Sequence, residues 1–91
     1  MRRPTPRYPF VETMMHLVEA EQATRDDRRP HIARARYALA TARAAIDDAE
    51  EALRSMLTPA VAMMRQGVTL RRNALDQLAA RLDALEDSLR I

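Results

Sequence analysis

A chain of 91 residues is one small domain at most, and a chain of this size buries only about 60% of its unfolded surface, which leaves no room for a large enzyme around a deep pocket. The residues are 47% hydrophobic but 3% aromatic, with one Gly and no Cys or Trp, so the apolar mass is Ala, Leu, Val, Ile and Met, the chemistry of helices rather than of a sandwich or barrel. All 15 basic residues are Arg against 13 acids, and a net charge of +2 is too even to name a polyanionic partner by charge alone.

Residues 1–9 hold three prolines and three arginines and no acid, which reads as an extended arm. A short amphipathic helix is expected over about 10–24, carried by Val11, Met14, Leu17 and Val18 at apolar spacings of three and four. Pro30 then stands where a first-turn proline belongs, with Asp27 as a cap upstream, and opens a long helix over about 30–57. In it Ile32, Ala35, Leu39, Ala42, Ile46, Ala49, Leu53 and Met56 alternate at spacings of 3 and 4, with large residues at one heptad position and mostly alanine at the other. Thr58-Pro59 interrupts that helix and Gly67 is a second candidate break, with one or two turns between them. A last helix over about 68–90 carries Leu75, Leu78, Leu82, Leu85 and Leu89 at the same alternation, with Arg71 where an apolar residue should stand.

The two stripes are complementary if the long helices form an antiparallel hairpin. When the residue numbers of facing partners sum to 124, Leu39 faces Leu85, Ala42 faces Leu82, Ile46 faces Leu78 and Ala49 faces Leu75. That register also sets Arg36 against Glu86 and Glu50 against Arg72, whereas a register one heptad shorter sets Arg43 against Arg72. Exposed pairs are each worth about 0–1 kcal/mol and so select the register, while burial of Leu and Ile at about 1.5–3 kcal/mol per side chain holds the pair together. The expected seam is Leu39, Ile46, Leu75, Leu78, Leu82 and Leu85. The alternative is a parallel coiled coil between chains, in which Arg81 would pair with Glu86, but the leucine stripe covers little more than two heptads.

The fold class is therefore all-α, with one helical domain over 10–91 preceded by the arm. A second stripe of small residues, Ala33, Tyr37, Ala40 and Ala44, lies away from the seam, and the short helix is expected to cover part of it. Met14-Met15 and Met63-Met64 are either core filler, the more economical reading, or adaptable contact surfaces.

No catalytic, cofactor-binding or metal-ligating set stands out. Asp47, Glu50 and Glu51 share a helix face without a Glu-x-x-His element, His16 and His31 stand alone, and Ser55 and Ser88 have no glycine elbow or base. A single Gly excludes a phosphate-cradling loop. Residues 1–36 hold eight Arg and five acids, a small basic excess, and Asp26 and Asp27 interrupt it, so nucleic-acid binding is possible but not favoured. No apolar run approaches signal-peptide or membrane-span length, and a soluble protein, intracellular or within a virion or other particle, is expected.

What remains is a non-catalytic assembly protein whose partners are other protein subunits, identical or different. Arg2, Arg3, Arg7, Tyr8 and Phe10 are the expected docking residues. A small chaperone is the alternative. Over about the last third of the chain, a basic turn with Gly67 followed by a leucine-striped terminal helix is similar to the layout of the small helical needle-subunit chaperones of type III secretion, which would imply shielding of an aggregation-prone subunit.

Overall fold

Two prolines and two extended residues set where helices begin. In the computed structural model, which describes residues 8–56 and 58–90, α1 runs Pro9–Gln22, α2 runs Arg25–Arg54 and α3 runs Pro59–Ser88, and there is no strand among the described residues. Pro9 and Pro59 occupy the first helical turn, where a missing N–H costs nothing; Thr58 before Pro59 is extended, as a residue preceding proline prefers, and so is Thr24 at the head of α2. The expected all-helical class is observed.

Two boundaries differ from expectation. Helix α2 begins five residues before Pro30, which sits inside it. The first turn survives because Asp26 and Asp27 lie at the positive end of the helix dipole, and because Thr24 Oγ1 donates to Asp27 Oδ2 at 3.0 Å. Arg28, in the same turn, donates from Nε to Ala20 O at 3.1 Å and from Nη2 to Ala23 O at 3.2 Å, tying the start of α2 to the end of α1. The cap is thus Thr24, not Asp27, and tertiary contact holds a turn that the proline alone would have ended.

Gly67 is the second difference. It lies in the interior of α3, has no positive φ, and a Cβ placed on it would meet nothing within 4 Å. The reversal is made before Pro59, and Gly67 breaks nothing, because a glycine lowers helix propensity by only about 1 kcal/mol and thirty residues of helix with one buried face outweigh that.

Cross-helix ion pairs give the direction of packing. Arg36 Nε donates to Glu86 Oε1 at 2.7 Å, Arg43 Nη2 to Asp76 Oδ1 at 3.3 Å, and Arg72 Nε to Glu50 Oε1 at 2.8 Å. The pairs advance along α2 as they retreat along α3, so the two run antiparallel, with Arg36 beside Glu86 and Glu50 beside Arg72. Helix α1 lies along both. Its end is bound to the start of α2 by Arg28, Glu21 pairs with Arg81 of α3, and Phe10 packs near Ala42 and Val68, so α1 runs antiparallel to α2 and parallel to α3.

One cluster joins the three. Leu17 and Ala20 of α1, Ile32, Ala35, Leu39, Ala42 and Ile46 of α2, and Val68, Leu75, Leu78 and Leu82 of α3 are all buried in it. Leu85 and Leu89 pack at its margin. The hydroxyl of Thr13, the buried polar residue of α1, is satisfied by donating to Pro9 O at 2.6 Å. The small stripe is not what α1 covers: Ala33, Ala40 and Ala44 stay exposed, while Ala35 and Ala42 share the cluster with Leu17 and Ala20. Small residues belong on the covered face, because they let a helix come close.

Two stability measurements follow. Gly67→Ala should raise stability by about 0.5–1 kcal/mol, seen as a higher urea midpoint by circular dichroism, since the methyl enters open space. Leu82→Ala, at a side chain with 0% exposure, should cost about 2–5 kcal/mol in the same assay.

Candidate functional site

The arginines sort into those the fold uses and those it leaves. Arg36 forks onto Glu86 and Asp83, the latter at 2.6 Å, and Arg72 forks onto Glu50 and Asp47, the latter also at 2.6 Å. Each guanidinium thus spans two acids three residues apart on the opposite helix. The acidic face of Asp47 and Glu50 is thereby accounted for as half of an ion-pair network rather than as a ligand set. Hydrogen bonds donated to Glu86 and then Asp83 raise the pKa of Arg36, and those donated to Glu50 and then Asp47 raise that of Arg72. A base raised on folding contributes its stability fully below its unfolded pKa and loses it only as pH rises through the folded value. These contributions therefore persist through neutral and mildly alkaline pH and vanish only in strong alkali.

The basic run at the start of α2 is engaged in part, with Arg29 and Arg34 left exposed. Arg25 Nη2 donates to Leu89 O at 3.2 Å and Arg28 serves the end of α1, while Arg36 is engaged as above. Arg65 caps α2 by donating from Nη2 to Leu53 O at 2.8 Å and to Arg54 O and Met56 O, each at 3.3 Å. This role is legible in the sequence only as an Arg near a reversal. Arg54 and Arg71 are exposed and make no ion pair among the described residues.

Histidine and carboxylate meet at one place. Glu19 Oε2 lies 3.1 Å from His31 Nδ1 and 3.8 Å from His16 Nδ1, though neither contact has hydrogen-bond alignment. No group of three or more metal-ligating side chains is arranged to hold an ion among the described residues. Likewise no described helix is long and apolar enough to cross a membrane.

The feature that stands out is apolar. Because Glu50 faces Arg72 and α2 stops at Arg54, the first nine residues of α3 extend beyond the end of α2 by about 13 Å at the helical rise per residue. Of these only Val61 is buried, and Gly67 is half-buried. Met63 is 77% exposed, Met64 58% and, one turn inward, Leu70 63%, with Met56 beside them in the connection. From Ala52 to Leu75 the chain has four Arg and no acid, so this apolar end is also basic. A second apolar surface lies on α1, where Tyr8, Val11, Met14, Met15 and Val18 are all exposed.

Between them the groove of α2 and α3 runs on past the start of α1. A cleft of about 410 Å³ is lined there by Ala42, Ala45 and Ala49 of α2, by Val68 and Arg71 of α3, and at one end by Phe10.

The expected site residues fare unevenly. Leu39, Ile46, Leu75, Leu78 and Leu82 are buried together and Leu85 packs against them. Arg2, Arg3 and Arg7 lie outside the described residues. Tyr8 is exposed at the head of α1, but Phe10, expected to dock outward, is turned into the chain's own core. The reason is helical phase, since Phe10, Thr13, Leu17 and Ala20 occupy one face. Both methionine pairs are exposed, which overturns their reading as core filler. The basic turn at Gly67, on which the chaperone-like layout rests, is helix.

Sequence reasoning missed Val11, Val18, Met56 and Leu70 as surface. A signal was present: Tyr8, Val11, Met15 and Val18 repeat at spacings of 3, 4 and 3, as do Ala60, Met63, Gly67 and Leu70. Reading Gly67 as a break concealed the second. No family model, no curated protein and no solved structure matches this chain.

Charge reversal tests the ion-pair network. Arg72→Glu should lower the melting temperature, and adding Glu50→Arg should recover part of the loss; recovery is absent if the two side chains do not meet. Between about pH 7 and about pH 9 the stabilisation recovered by the double charge reversal should not change, because Arg36 and Arg72 stay charged throughout that range.

Proposed function

We propose that this chain is a non-catalytic assembly component acting by protein–protein contact within a multi-subunit structure, such as a phage virion or a secretion apparatus. In this reading the antiparallel hairpin of α2 and α3 is the scaffold, and α1 locks it. The observation that carries the proposal is the overhang of α3 and the turn that follows it, where Met63, Met64 and Leu70 are exposed.

A small domain has little apolar surface to spare, and large aliphatic side chains clustered at one end are characteristic of a contact surface. Methionine suits that use, because its flexible thioether adapts to a partner. Seven arginines, Arg25, Arg28, Arg36, Arg43, Arg65, Arg72 and Arg81, serve the fold, which lowers the charge left for a polyanion without removing it, since Arg29, Arg34, Arg54 and Arg71 remain exposed. The docking role expected of Arg2, Arg3 and Arg7 belongs to the same proposal, as an arm that adds to the contact made by the overhang.

The test is stoichiometric copurification from the native source. Wild-type chain is expected in a large assembly, and Met63→Asp with Leu70→Asp should move it to the low-mass fraction with helicity unchanged. Retention of the double variant in the assembly overturns the role of the overhang, and a chain found only in small complexes, absent from any finished particle, overturns the assembly reading in favour of a chaperone.

A further inference from the structure

The cleft that opens where α1 stops has a composition of its own. Its walls are Ala42, Ala45 and Ala49 of α2 and Val68 and Leu75 of α3, and Phe10 lies at the end nearest α1. Arg71 is the only polar side chain in its described lining, and no acid lines it. From Ala42 to Ala49 the α2 wall runs for about 10 Å at the helical rise per residue.

Arg71 differs from the arginines beside it. Arg65 is held by carbonyls of α2 and Arg72 by Glu50 and Asp47, whereas Arg71 is exposed and makes no ion pair among the described residues. It stands between Val68 and Leu75, where the leucine stripe calls for an apolar residue. A helical side chain leans toward the N-terminus of its own helix, so Arg71 leans toward the open end of the cleft, away from Phe10. An alkyl-lined cleft with one unpaired cation toward its mouth calls for a negative charge joined to an apolar body.

We propose that the cleft binds a single-chain amphiphile with a carboxylate head, a fatty-acid-like molecule. Its alkyl chain lies along the alanine wall with the tail toward Phe10, and its carboxylate accepts hydrogen bonds from the Arg71 guanidinium. Size argues against a docked helix, because one turn of helix with its side chains fills about 400–600 Å³ and the whole cleft is about 410 Å³. That volume lies within the range of about 300–1,000 Å³ usual for small-molecule sites. Chemistry argues against an extended peptide, which brings an N–H and a C=O at every residue to walls that offer no side-chain partner but Arg71. One guanidinium balances one negative charge, so a carboxylate suits the site better than a doubly charged phosphate. Met63 does not line the cleft, and the site is independent of the assembly reading.

Calorimetric titration of the purified full-length chain with dodecanoate, below its micellar concentration, tests the proposal, with dodecanol and phosphatidylglycerol vesicles as companion probes. One dodecanoate is expected per chain, bound at least about tenfold more tightly than dodecanol. Arg71→Gln should weaken dodecanoate by about tenfold or more and leave dodecanol unchanged, since it removes a charge-assisted contact and no apolar surface. Ala45→Trp, at an exposed position of α2, should fill the cleft and abolish binding of both with helicity unchanged. Met63→Asp should bind dodecanoate as the wild type does.

Absence of saturable dodecanoate binding overturns the proposal. So does equal affinity for dodecanol, or an Arg71→Gln variant that binds as tightly as the wild type. Loss of binding in Met63→Asp moves the amphiphile to the overhang and also overturns it. Binding to the vesicles without binding to dodecanoate replaces the single-chain occupant with a membrane lipid. None of these results bears on the assembly reading, which copurification decides.

Discussion

The register between α2 and α3 governs everything else in the molecule. With Glu50 held opposite Arg72 and Arg36 opposite Glu86, the point at which α2 ends and the point at which α3 begins do not coincide. Two helices of 30 residues each, packed without slippage, would have matched ends. The slip instead projects the first turns of α3 beyond its neighbour and leaves most of their side chains exposed, Val61 excepted. Packing is consistent with that slip, because Ala42 and Ala49 of α2 meet the same cluster as Leu75 and Leu82 of α3, small residues beside large ones. The arginine forks then refuse the neighbouring registers, each exposed pair adding little energy but much selectivity.

Helix α1 is a consequence of the same geometry. It has 14 residues against 30 for its neighbours, so it can fill only part of the furrow they form. Where it lies, Leu17 and Ala20 complete the core; where it stops, at Pro9, the furrow is open and lined by alanine, Val68 and Arg71. Its opposite face remains apolar as well, which a monomeric helix on a small bundle has no need to be. The molecule thus has a three-helix half around α1 and a sparsely covered end at the overhang.

Legibility in the sequence followed the origin of each feature. The leucine and alanine spacings gave the long helices, the buried set and the pairs Arg36–Glu86 and Glu50–Arg72, because these depend on periodicity and on which charges attract. Local chemistry misled at three places. Pro30 suggested a helix start, but the Arg28 contacts to α1 carry the helix back past it. Gly67 suggested a break, though its intrinsic penalty is small beside the burial of Val61, Val68 and Leu75 on the same helix. The methionine pairs suggested core, because type alone does not say which side of a helix meets a neighbour.

By itself, the sequence determined the helical class, the leucine and isoleucine part of the α2–α3 core and the charge pairs that align α2 with α3. Each of these is a matter of spacing along one chain or complementarity between two stripes. Tertiary structure alone decided where α2 ends relative to α3, that Phe10 turns inward while Val11 and Val18 turn out, and that seven of the arginines are used internally. Those outcomes depend on helix phase and on where a third helix comes to rest, which periodicity does not specify. The exposed methionine end is the sum of these decisions, and it exists because a register chosen by buried alanine and leucine leaves one helix longer than its support.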